Sequence, residues 1–427
     1  MPIRLAHLLI AIAFTILVRP ADAVVHSVCP NGCDFTRIAA AVAASSNGDE
    51  IVLAFTRPTI HTEAAIVIEK NLTIRGFGRD ETIVQAAATA AAATDRIFTI
   101  QNGGSVFLWD LTLRHGRESF GGAIRVLGST GLTSDLSLQR VGVHGNVATG
   151  NGGGLIGSSD TTVTIVDSVF EANVASDGGG LYSTGADITI IGSLFAGNAA
   201  DAVGGGIYAS GGDLSMWNTT ITGNIASFQS GGVDIRTGIP SLRHVTIVDN
   251  SAPSVGGFNF LAASVRSSVI ANNGGGDCVR EITGANLHNW DSDGSCGIGV
   301  VGSGDPELEP LRDNGGWTRT RAPQEESPLI DAGDQTRCAN SDQRGLERRL
   351  GGDCDIGAYE RYELETCETV NLAIPDDDPT GVSHTVLLNT PDGSADRIVD
   401  VNASIFVLHD AVGDLTVHLG HDGIRVP

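Results

Sequence analysis

Six side chains able to do acid–base or electrostatic chemistry fall on three neighbouring repeats: Asp110 and Arg114, Arg140 and His144, Asp167 and Glu171. In the aligned register Asp110 and Arg140 lie one rung apart, with Asp167 a further rung along. Two kinds of chemistry suit such a set. Close carboxylates can share acid and base work on a glycosidic bond. Alternatively, Asp110, Asp167 and Glu171 hold a cation while Arg140 and His144 act as base or anion clamp. The competing reading is an exposed ladder of alternating charge, in which each pair adds roughly a few tenths of a kcal/mol. That reading is preferred, so no catalytic residue, metal ligand or cofactor is assigned.

The elements that must position these groups are written in a repeat. Glycine doublets recur at Gly121-Gly122, Gly152-Gly153, Gly178-Gly179, Gly204-Gly205, Gly231-Gly232 and Gly256-Gly257. Between them run Asn146, Asn173, Asn198, Asn224, Asn250 and Asn273, at steps of 27, 25, 26, 26 and 23 residues. A period in that range means stacked units rather than one globular core. In the repeat over residues 178–203, a first short strand turns at Gly185-Ala186. Residues 187–191 alternate into a second strand, 193–197 form a third, and Asn198 bends the chain onward. The expected fold is therefore all-β, a right-handed parallel β-helix of three-strand coils.

Alignment on the third strand tests the register. Leu111 and Leu113, Val141 and Val143, Ser168 and Phe170, Ser193 and Phe195, Thr219 and Ile221, Val245 and Ile247, and Ser268 and Ile270 are expected inside. Asp110, Arg140, Asp167, Asn218 and His244 alternate with them and are expected to face solvent. Trp109 and Trp217 are expected in the core. Each ladder Asn is expected to pair its amide with the neighbours above and below, satisfying backbone at the bend. The glycines serve bends that need positive φ or close contact between coils.

Composition bounds the function. Over 427 residues the formal charge is −24, which argues against a nucleic-acid partner, since phosphates need a basic footprint. Lys70 is the sole lysine. Residues 1–23 read as a secretion leader: Arg4, an apolar run over 8–17, then Ala21-Asp22-Ala23 as the cleavage site. No later stretch reads as a transmembrane segment. Seven cysteines suit an oxidising compartment and fall in local pairs, Cys29 with Cys33, Cys278 with Cys296 and Cys338 with Cys354, leaving Cys367.

Three resemblances refine this. Gly121-Gly122-Ala123-Ile124, with Phe170-x-x-Asn173 and Phe195-x-x-Asn198, resembles the repeats of bacterial polymorphic outer-membrane proteins. Upstream, residues 34–44 read as a short helix N-capped by Asp34, followed by strand-like runs. That order resembles the start of secreted pectin-lyase-like β-helices and implies a helix plugging the first coil over a β-helix spanning 24–300. The patch lacks the Asp-Asp motif of polygalacturonases. Asp305-Pro306, Asp313-Asn314-Gly315-Gly316, Ser327-Pro328-Leu329-Ile330-Asp331-Ala332-Gly333, Asp342-Gln343-Arg344-Gly345 and Cys354-Asp355-Ile356-Gly357 follow in order. They resemble the choice-of-anchor Q domain, which implies a surface or secreted protein and no reaction. This region, 301–362, is expected to close the solenoid. Asp331, Asp342 and Asp355 are read as turn and cap residues in preference to a calcium cluster. Over 363–427, Ile374-Pro375-Asp376-Asp377-Asp378 and Val412-Gly413-Asp414-Leu415 resemble the first half of a proprotein convertase P domain, read as a partial β-sandwich of a truncated chain. Proteolysis is rejected, because no subtilisin-sized catalytic domain accompanies it.

These readings imply a secreted or cell-surface β-helix, non-catalytic, used for adhesion, glycan contact or surface display. Its expected partner is a polysaccharide or a host or cell-surface glycan. The alternative is a polysaccharide lyase or other carbohydrate-active enzyme on the same scaffold. Trp109, Trp217, Trp290 and Trp317 are too few to form an aromatic row for sugar.

Overall fold

The structure, a computed structural model, describes residues 23–53, 59–282, 287–297, 300–348, 353–361, 419–421 and 424–426. The chain divides into two compact units, Met1–Arg361 and Tyr362–Pro427. In the second unit, Leu419–His421 pairs antiparallel with Ile424–Val426. The rest of the expected sandwich lies outside the described residues, as do Cys367 and the leader up to residue 22.

In the first unit, period-two alternation becomes stacked sheets. Leu181–Thr184 joins an eight-strand sheet, and Ala199–Val203 joins a five-strand sheet. Between them Asp187–Ile191 and Leu194–Ala196 both join a nineteen-strand sheet. Neighbouring coils pair in parallel, as Leu181↔Ile207, Ile190↔Met216 and Ala199↔Ile225 show. The unit is an all-β, right-handed parallel β-helix. One detail is corrected. The second and third strands expected per coil are two arms of one sheet, and the segment after Asn198, read as a bend alone, is itself a strand.

Inside, like residues stack. Val143, Phe170, Phe195, Ile221, Ile247 and Ile270 lie in direct register and are buried. The rings of Phe170 and Phe195 stack at 4.7 Å. Each such side chain gains about 1.5–3 kcal/mol from burial, which offsets the cost of ordering short strands.

Two corners explain the recurring polar residues. At one, Gly178 takes φ 63°, and a Cβ on Gly179 would stand 2.4 Å from the Gly205 carbonyl oxygen of the next coil. Only glycine allows that approach. At the other, Asn198 is fully buried. Its Nδ2 donates to Phe170 O and Asn224 Oδ1, both at 2.9 Å. Its Oδ1 accepts from Asn173 N at 3.1 Å and Asn173 Nδ2 at 2.9 Å. The same bonding links Asn146 to Asn173, Asn224 to Asn250 and Asn250 to Asn273. Beyond Asn273 the acceptor is Asp277 Oδ1, at 2.9 Å.

The first coil is covered by a helix, Ile38–Ala44, whose Ile38, Ala41 and Val42 are buried on the core. It starts later than expected, and Asp34 does not cap it. The Asp34 carboxylate accepts from Ser27 N and Oγ instead. The solenoid supplies both caps. Glu63 accepts from Ile38 N at 2.6 Å and Ala39 N at 3.2 Å. Lys70 Nζ donates to the carbonyls of Val42, Ala43 and Ser45 at 3.1, 3.1 and 2.6 Å. Each charge meets the helix end of opposite partial charge. Lys70→Met should therefore lower unfolding stability by about 1.5–3 kcal/mol, the worth of charge-assisted hydrogen bonds. Urea titration at neutral pH checks this, and an unchanged midpoint would contradict it.

All three local disulfides are present: Cys29–Cys33, Cys278–Cys296 and Cys338–Cys354. Residues 305–348 and 353–361 do not plug the end of the solenoid. They run along its side, across the outer face of the nineteen-strand sheet. Thr318 Oγ1 donates to Gly192 O, Asn218 Nδ2 to Ser341 O, Asp334 N to Ser267 Oγ and Ala358 N to Thr246 Oγ1. Leu329 and Ile356 pack on Val248, Val269 and Ala271. Cover replaces closure because the outer faces of these strands are themselves apolar or hydroxylic.

Candidate functional site

The two arms of the long sheet meet at a column of left-handed residues: Asp110, Arg140, Asp167, Gly192, Asn218, His244 and Ser267, at φ 45–61°. A single αL residue makes a sharp corner, at roughly 1–2 kcal/mol for a side chain other than glycine. Alternation predicts that these residues face solvent. Asp110, Arg140 and Asp167 are half-buried, whereas Asn218 and His244 are buried beneath residues 305–348.

Within the sequence-derived patch, pairing removes most of the chemistry. Arg140 donates from Nε to Asp110 Oδ1 at 2.6 Å and from Nη2 to Oδ2 at 2.8 Å. Its guanidinium also sits 4.9 Å from the Trp109 ring and 4.5 Å from the Trp317 ring. Bidentate pairing between two indoles makes it a structural clamp rather than a base. Trp109 and Trp217 therefore point outward, alternating with buried Leu108 and Met216, and their expected place in the core is corrected. Arg114 Nε donates to Gln85 Oε1 at 3.0 Å. Burial pushes Asp167 up to about 6, against the pull of Arg140 and Arg79.

What remains open is a cleft of about 280 Å³ lined by Arg79, Asp80, His144, Val169, Glu171 and Arg319. His144 and Glu171 lie on successive rungs, from strands Gly142–His144 and Val169–Glu171. Arg79 comes from the connection between Leu72–Arg75 and Thr82–Gln85, and Arg319 from the segment lying across the sheet. Arg319 Nη2 lies 2.7 Å from Glu171 Oε1, and His144 Nδ1 lies 3.7 Å from Glu171 Oε2. Arg79 bonds the Trp317 carbonyl and makes no ion pair among the described residues. Burial lowers its pKa from the usual guanidinium range, opposed by Asp80 and Asp167 and reinforced by Arg319. Burial also holds His144 below the usual imidazole value, against Glu171, so that it is neutral at pH 7. Two guanidiniums and an imidazole, set beside Asp80, Glu171 and Val169, can clamp a carboxylate or sulfate and accept a proton. No sequence signal finds Arg79 or Arg319, because neither occupies a repeat position.

Asp331, Asp342 and Asp355 are not gathered into one site. Asp342 accepts from Arg344 N, and Asp355 from Asp331 N and Arg361 N. The carboxylates that do converge are Asp277, Asp291 and Asp293, with ligand atoms within 4.8 Å of one another. Their oxygens already accept from Asn273 N, Ser292 N, Cys296 N and Ser295 N. Sequence reasoning missed this group, which lies past the last regular repeat.

Fold and cleft define a parallel β-helix with a mixed-charge groove on its long sheet. No protein-family model matches the chain, and no curated protein does. Among solved structures it is similar to pectate lyase Pel9A, at 14% identity and a TM-score of 0.46, over 79% of this chain and 96% of that one.

Proposed function

We propose that this is an exported β-helix protein that contacts an acidic polysaccharide through the Arg79–His144–Arg319 cleft without cleaving it. The observation that carries the reading is the convergence of Arg79 and Arg319 on one groove, with Arg79 unpaired by any described carboxylate. The leader-like residues 1–23 and the three disulfides support export. No helix among the described residues is long and apolar enough to cross a membrane. Choice-of-anchor Q-like attachment through residues 301–362 belongs to the same proposal.

Retention on immobilised polygalacturonate and alginate, against a neutral glucan, tests it. Both uronates should retain the protein, and retention should fall with salt. Replacing Arg79 and Arg319 together by Ala should weaken binding at least about tenfold, as expected for losing charge-assisted contacts. Equal retention of the double variant would sink the reading.

A second reading is favoured by one observation, the imidazole of His144 at the cleft wall beside Glu171. It could take the proton α to a uronate carboxylate while the arginines neutralise that carboxylate, expelling the glycosidic oxygen and leaving an unsaturated sugar. Ultraviolet absorbance that grows on incubation with polygalacturonate, and disappears in His144→Gln, would favour this over simple binding.

A further inference from the structure

The first strand of the solenoid, Val25–Val28, pairs with Glu50–Leu53 and begins two residues after the Ala-x-Ala end of the leader-like segment. Immediately before it, Val24 N donates to Asp49 Oδ1 at 2.8 Å. Val24 itself is exposed, whereas the Asp49 carboxylate is buried at 4% exposure. Its second oxygen accepts from Ser46 N at 2.7 Å and lies 3.2 Å from His26 Nε2. A buried carboxylate held ionised by backbone donors is thus aimed at the nitrogen that a cut after Ala23 would convert from amide to amine.

We propose that Asp49 is a preformed receptor for a new N-terminus: hydrolysis of the Ala23–Val24 bond leaves an α-ammonium group on Val24 that the Asp49 carboxylate binds. The step balances simply. Water adds across the peptide bond, its oxygen completes the Ala23 carboxylate, and the departing Val24 nitrogen takes both protons of the water. The agent is a peptidase of the exporting cell that reads small residues before the bond. An amide–carboxylate hydrogen bond thereby becomes an ion pair, which strengthens the anchoring of the first strand beneath the capping helix. The inference rests on the export reading but not on the glycan cleft, so failure of glycan retention leaves it standing.

The sequence offers a clean readout. With Lys70 the sole lysine, the processed chain carries two amines, and Lys70 is held by three carbonyls at the end of the helix. The charged and titratable groups around the new terminus are His26 on its own strand, with Asp49 and the Glu50–Arg75 pair on the strands beside it.

The full precursor is expressed in an exporting host, and the released protein is sequenced from its N-terminus and treated with an amine-reactive reagent. A parallel precursor carries one glycine inserted between Ala23 and Val24, which moves the ammonium away from Asp49. The expected first residue is Val24. Its α-amine should label at least about tenfold more slowly than that of the glycine-extended chain, equivalent to a rise of about one pKa unit. Asp49→Asn should bring the Val24 chain to the faster rate. The extended chain keeps Asp49 and so remains decisive if that variant does not fold. A first residue other than Val24, or equal labelling of the two chains, would overturn the proposal.

Discussion

Asn198→Ala should destabilise the solenoid by about 3–6 kcal/mol, because it strands two buried backbone polar groups at once and removes two further hydrogen bonds. Losing the side chain removes the acceptor of Asn173 N and Nδ2 and the donor to Phe170 O and Asn224 Oδ1. Asn173 Nδ2 keeps Val143 O at 2.8 Å, and Asn224 Oδ1 keeps Asn198 N, so those two groups are not orphaned. Asn173 N and Phe170 O lose the partners named here, at a corner with no exposure to water. Asn198→Asp is the sharper test. It preserves the acceptor, deletes both donations and buries a charge. Asp277 shows what an aspartate at this corner requires, since its second oxygen is taken by Ser292 N at 2.9 Å and Ser292 Oγ at 2.5 Å. Nothing equivalent stands beside Asn198, so the Asp variant should be at least as damaged as the Ala variant. The outward Thr189→Ala should shift stability by less than about 0.5 kcal/mol. Urea midpoints of the three variants decide the matter. An Asn198→Ala chain as stable as the Thr189 control would mean that the ladder bonds contribute nothing net.

How much of this was legible in the sequence depends on whether a feature repeats. Phe170, Phe195 and Ile221 lie in register where their spacing put them, because period-two alternation is copied at every coil. The same regularity misled at the corner between the arms. Alternation says that the residue before an inward Leu111 or Val245 points out, and so it does, but outward does not mean exposed. His244 is outward and fully buried, since a non-repeating segment lies across it, and its Nε2 accepts from Ala339 N at 3.3 Å. Pairing across 95 residues leaves no local pattern to read. Arg319 reaches Glu171 from 148 residues away, which is why half of the cleft was invisible. The capping helix failed differently. Asp34 has the composition of an N-cap, but Glu63, distant in sequence, satisfies the helix start. A tertiary partner overrode a local preference.

The segment lying across the long sheet should grip it less firmly as pH rises, and Asp355 should be the main cause. Its carboxyl is buried at 1% exposure, and burial together with the Glu360 charge pushes it up to about 7, despite donations from Arg361 N and Asp331 N. In the unfolded chain the same group titrates near 3.8. A folded-state pKa above the unfolded one means that the native state holds the proton more tightly. The contribution is therefore complete below pH 3.8 and is lost as pH rises through 7. Over that interval it amounts to on the order of 4 kcal/mol. Asp167 and Asp291, each raised to about 6, act in the same direction. His244, which burial holds well below 6.5, acts in the opposite one and weakens the acid side. All three are common to wild type and to Asp355→Asn, so they cancel in the difference between the two. Relative to wild type, the Asn variant should gain stability progressively from pH 4 to pH 8, whatever the substitution costs at the acid end. A difference in unfolding free energy that stays flat across that range would remove Asp355 from the account. The same titration reaches the cleft, because Arg319 and Trp317 ride on the segment that Asp355 helps to hold. Retention on polygalacturonate should accordingly decline between pH 6 and 8 in wild type and hold steadier in Asp355→Asn.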